Sequence, residues 1–218
     1  MTAPDSRPIR ATLDRPEPVI DWRIPAGASD DWLYGAGATR AERGLVNAAA
    51  AIGVALFAWY GITDRYGWAW WQVVLGAVLA IDLFGGAVAN ALGAAKRQYF
   101  GAPRASEGRS ARLLRSPIAF AAFHLHPFLV TWVYGVDAVA WWWAGGQYAA
   151  AVVGSLLVEA VPPYLARPGA MLLFLGAIVA LGFVPAPPGW AWLPVVFLAK
   201  LLLAHAVREE PYRPAPGT

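Results

Sequence analysis

Residues 68–95 read WAWWQVVLGAVLAIDLFGGAVANALGAA, an apolar run with a single charge, Asp82, near its middle. A helix of ~20 mainly apolar residues spans a hydrocarbon core of ~30 Å. Lipid offers the backbone no hydrogen bonds, so a run of this kind crosses as a helix. Further spans of near-membrane length lie at 44–62, 117–136, 138–161, 170–187 and 190–207, the last two the shortest. The expected fold is therefore an all-α, polytopic integral membrane protein, a six-transmembrane-helix bundle in three hairpins.

The loops sort their charge. Arg40 and Arg43 precede the first span, and Lys96, Arg97, Arg104, Arg109, Arg112 and Arg115 fill the second loop against Glu107 alone. Arg167 sits in the fourth loop, and Arg208 and Arg213 follow the last span. With six crossings all of these share one side, and the other side holds Arg65. Basic residues flanking spans stay cytoplasmic, so both termini are expected inside. High Ala, Gly and Arg usage with little Lys suggests a bacterial chain of the inner membrane.

Composition agrees. The chain is 58% hydrophobic and 14% charged, where soluble domains carry about 25% charged residues. The net charge of +3 is concentrated in the Lys96–Arg115 loop, as insertion and contact with anionic lipid headgroups require. No nucleic-acid partner is expected; the bilayer and other membrane proteins are. The absence of Cys excludes disulfides and thiolate chemistry.

Residues 1–43 form a polar, Pro-containing and partly disordered cytoplasmic segment, 44–207 the transmembrane domain, and 208–218 a cytoplasmic tail. No apolar stretch precedes Gly44, so the first span is expected to act as the targeting signal. Short outer turns at Thr63–Gly67, Asp137 and Pro187–Gly189 make successive spans antiparallel neighbours. The 96–116 loop and a Pro162–Gly169 turn connect the hairpins on the inner side. Trp59, Trp68, Trp70, Trp71, Trp132, Trp141, Trp142, Trp143, Trp190 and Trp192 cluster at the outer ends of spans. An aromatic belt at the interface accounts for them.

Polar residues within the spans are the candidate site. An ionised Asp at mid-membrane costs ~2.5–3.5 kcal/mol, so Asp82 should face the bundle and find a partner or a proton. On a regular helix Asp82, Gly86, Ala89, Asn90 and Gly93 share one face, expected to pack on the third span near His124. Gly86→Leu should then destabilise far more than Leu83→Ala. His124 and His126 point about 200° apart on a helix and cannot share a metal there; Pro127 disturbs that turn. Rise per residue places Asn90, His124, Glu159, Lys200 and His205 in the inner half of the membrane. The set Asp82, Asn90, His124, His126, Glu159, Lys200 and His205 is one candidate intramembrane polar site. Lys200 has an alternative, snorkelling to the interface along its apolar stem.

The sequence holds no phosphate-binding loop and no His-Glu-x-x-His zinc motif. No catalytic residue, metal or cofactor is identified. Three function classes remain. A non-enzymatic accessory or assembly subunit, using small-residue faces and the Trp-rich rim for interaction, requires nothing beyond what is seen and leads. A small proton-coupled carrier would use Asp82 and His124. A metal-dependent enzyme acting on lipid from the cytoplasmic leaflet would use His124, His205 and an acid.

Overall fold

The computed structural model describes residues 19–29, 31–104, 107–135 and 137–213. The rest of the 1–43 segment and of the 208–218 tail lies outside the described residues. The chain is mostly helical. Four helices are both long and apolar enough to cross a membrane: Arg40–Ile62 (α1), Trp70–Ala91 (α2), Pro163–Leu181 and the interrupted Pro117–Tyr134.

Helix α1 begins at a reciprocal cap, four residues before the apolar run. The Thr39 hydroxyl accepts the Glu42 N–H at 3.2 Å, and the Glu42 carboxylate accepts the Thr39 N–H at 2.7 Å. Two orphan amides are thereby satisfied. Helix α2 contains a π-turn at Ile81–Gly85 and ends at Leu92, whose extended backbone separates it from Gly93–Phe100 (α3). The second loop is therefore partly helical, with α3 and the short Arg109–Leu113 (α4).

The third span is two helices, Pro117–Phe123 (α5) and His126–Tyr134 (α6). Pro127 has no N–H and its ring would clash with the Phe123 carbonyl, so the helix stops and restarts. The restart places Pro127 in a first turn, where its missing N–H is harmless.

Val139–Ala160 (α7) has 22 residues, enough to span, but Trp141–Trp143, Gln147 and Glu159 make it less apolar than the other four. Its first amides, Val139 and Ala140, are capped by the Asp137 carboxylate at 2.9 and 3.2 Å. Pro163–Leu181 (α8) corrects the expected Pro162–Gly169 turn and the 170–187 span. Pro163 starts the helix rather than ending one, and Pro168 removes one bond from an early turn. The last helix, Leu193–His205 (α9), runs 13 residues and leaves α geometry at Ala199–His205, a second π-turn. At 1.5 Å per residue it covers ~20 Å. Most of its large apolar residues pack inside the protein: Leu193, Phe197, Leu198, Leu201 and Leu202 are all buried, while Val195 is exposed.

Glycines set the helix approaches. A Cβ on Gly53 of α1 would stand 2.9 Å from the Ala80 Cβ and 3.0 Å from its backbone, so α1 and α2 touch there. Small residues let membrane helices pack this closely. Gly189, at φ +80°, turns the chain under the Trp68 ring before α9.

The aromatic belt is partly core. Trp143 and Trp190 are buried. Trp190 joins Phe57, Tyr134 and Trp192 with ring centroids 4.9–5.3 Å apart. Trp59, Trp70, Trp132 and Trp142 remain exposed, as a belt requires. At the opposite end, Val19–Ile20 (β1) pairs antiparallel with Tyr212–Arg213 (β2), with Val19 opposite Arg213. Asp21 and Arg213 add an ion pair at 3.3 Å.

Candidate functional site

Asp82 lies in the π-turn of α2 and Lys200 in the π-turn of α9. The Lys200 ammonium donates to Asp82 Oδ2 at 2.6 Å and also reaches the Asp82 carbonyl at 3.3 Å. His126 Nε2 stands 2.9 Å from the same Oδ2, delivered by the helix restart at Pro127. Three elements thus leave regular α geometry where three polar side chains meet. Such π-turns concentrate at functional sites because they re-aim side chains.

The burial is uneven. The Lys200 side chain is 3% exposed and that of Asp82 is 50% exposed. Lys200 therefore does not snorkel; its charge is held in the core by the carboxylate.

The two-residue His spacing also works differently from its reading on a regular helix. The break between α5 and α6 stacks the His124 and His126 rings, centroids 5.4 Å apart and 25° between planes. His124 is tied through Nδ1 to the Phe120 carbonyl at 2.6 Å. Buried His205 stacks on the Phe120 ring at 3.6 Å and meets Tyr99 edge-on at 4.8 Å.

Asp82, His126 and Lys200 are in direct contact, His124 adjoins them, and His205 is reached through Phe120. Asn90 is buried on α2 but joins none of these contacts through its amide nitrogen, which has no hydrogen-bond partner. Glu159 is exposed and apart from the cluster. Among the described residues no three His, Asp or Glu groups stand close enough to hold a metal ion.

The expected packing of the Asp82–Gly93 face on the third span is also corrected. The C-terminal part of α2 lies on the π-turn of α9, and a Cβ on Gly86 would sit 2.7 Å from Lys200 Cε. A π-turn inserts one residue, so a face projected through it at 3.6 residues per turn is rotated by about 100°. Apart from the His126–Asp82 contact, the third span touches α2 at the Trp-rich end. There the Tyr134 hydroxyl donates to the Gln72 carbonyl at 2.6 Å, and the Gln72 amide to the Val133 carbonyl at 3.1 Å. Leu83, read as the tolerant control position, is fully buried.

The basic loop is less available to headgroups than its composition suggests. Lys96 is buried and donates to the Val207 carbonyl at 2.6 Å and to that of Ala204, closing the C-terminal end of α9. Burial pushes its ammonium down to about 8. Arg97 is buried, and Arg115 clasps Glu107 at 2.6 Å. Arg109 and Arg112 stay exposed.

No family model, curated protein or solved structure matches the chain.

Proposed function

We propose that this chain is a bacterial inner-membrane protein that takes up and releases a proton at Asp82, working as a small proton-coupled carrier. The observation that carries the reading is the sharing of one oxygen. Lys200 and His126 both bind Asp82 Oδ2, so a proton on the carboxylate weakens both contacts at once. Ionisable groups inside membranes concentrate on proton and substrate pathways. A protonation that loosens the α2–α9 link biases one helix arrangement against another, which is what coupling requires.

The bundle is read as six spans, α7 and α9 completing the four that meet the length and composition of a membrane helix. Eleven basic residues on one side against Arg65 favour cytoplasmic termini. The β1–β2 pairing supports an even number of crossings, since both tails then share a side.

A specific observation favours a second reading, the accessory subunit. Half of Asp82 is open at the bundle surface, and exposed Trp59, Trp132 and Trp142 offer contact area. A partner helix could close that side.

The test is infrared difference spectroscopy of the purified protein in lipid nanodiscs, acidic minus alkaline. A carbonyl band present in the parent and lost in Asp82→Asn is expected. Absence of any Asp82-dependent band removes the carrier reading, and a partner that co-purifies with the parent but not with Asp82→Asn would support the second.

A further inference from the structure

We infer that the three histidines of this chain form one proton path from the basic-loop end of the bundle to Asp82, with the Phe120 ring as its gate. The inference rests on the reading of Asp82 as the proton site. Its geometry is a line of rings. His205 ends α9. Its ring lies parallel to Phe120, 14° between planes and 3.6 Å between centroids. The same Phe120 ring stands 4.4 Å from His124. His124 stacks on His126, whose Nε2 reaches Asp82 Oδ2 at 2.9 Å. All three His of the sequence lie on this line.

Two ring nitrogens on it are idle. His126 Nδ1 and His205 Nε2 are buried with no hydrogen-bond partner. A histidine buried for packing alone satisfies its polar atoms, whereas one that passes a proton needs a nitrogen free to receive it. The titratable groups around His205 are Lys96 and Tyr99 from α3, Lys200 from α9 and His124 beyond Phe120. Of the described aromatic rings, Phe120 is the one in contact with both the His124 and His205 imidazoles. A phenyl ring carries no exchangeable proton, so transfer from His205 to His124 requires it to swing aside. Phe120 thereby separates the inner surface from Asp82 until the bundle moves.

The experiment follows the Asp82 carbonyl band after a rapid drop in pH, on the full chain in nanodiscs. His205→Phe keeps the stacked ring and removes the titrating nitrogens. It should slow the band by about a hundredfold, the lower range of what a positioned proton-transfer group contributes, with unchanged amplitude. Phe120→Ala should speed it. His205→Gln provides a second variant should the first fail to fold. A band that rises at the parent rate in both His205 variants overturns the path while leaving Asp82 as the proton site. A parent with no Asp82 band overturns both.

Discussion

The Asp82–Lys200 pair makes an asymmetric prediction about stability. Lys200 is almost wholly enclosed, whereas Asp82 is half open. Asp82→Leu strands an ammonium in the core beside Gly86, and uncompensated buried charges of this kind cost about 3–5 kcal/mol. Lys200→Met keeps the aliphatic stem and leaves a carboxylate that still has His126 at 2.9 Å and can take a proton. Its cost should be smaller, about 1–2 kcal/mol, within the ordinary range for a single substitution. The double variant replaces the pair by apolar groups of similar volume, a change that is often neutral. It should therefore be more stable than Asp82→Leu alone, and a near-neutral double variant puts the coupling energy at about 4–7 kcal/mol, the sum of the two single costs and above the usual range for contacting residues. Reversible unfolding of the four proteins in mixed micelles gives the cycle. Additive single effects would show that the 2.6 Å contact carries no energy, and Lys200→Met costing more than Asp82→Leu would refute the burial argument.

Gly53→Ala should lower the melting temperature in detergent, because its Cβ would meet Ala80 backbone at 3.0 Å and overpacking costs about 1–3 kcal/mol. Gly145→Ala, with nothing within 4 Å of the new methyl, should leave it unchanged; equal effects would mean that α1 and α2 are not in contact. The Arg115 hydrogen bond holds the Glu107 carboxyl below its ordinary range. A depressed folded value gives stability that is present above the unfolded value and lost as pH falls through the folded one. Amide exchange around Glu107, corrected for its intrinsic pH dependence, should accelerate on acidification in the parent and much less so in Glu107→Gln; identical profiles would exclude the clasp.

Much of the helical plan was legible because membrane spans depend on length and apolarity, which need no tertiary information. The ends were less so. Thr39 and Glu42 extend α1 beyond its apolar run through a cap that hydropathy cannot register. Pro163 and Pro168 read as a turn, yet proline fits a helix start as well as it breaks a helix interior. Trp143 and Trp190 read as a belt because composition cannot separate a ring facing lipid from one facing Phe57 and Tyr134.

The site divides in the same way. Asp82, His124, His126 and Lys200 stand out as polar groups in apolar runs, and the expectation that Asp82 needs a partner follows from desolvation alone. Which partner it finds depends on helix phase. The π-turns at Ile81–Gly85 and Ala199–His205 each insert a residue, and the break at Pro127 resets the third span. Every regular projection through those points is wrong beyond them. No local signal in IDLFG or AKLLLAH announces a π-turn, since neither segment contains proline. The irregularities also fall where the charges meet, so the residues easiest to find were the hardest to orient. Each π-turn holds one of the two groups that meet, Asp82 in the first and Lys200 in the second. The Lys200 ammonium thus reaches Asp82 Oδ2, the oxygen that His126 also contacts, and on the proposed reading a single proton there parts both.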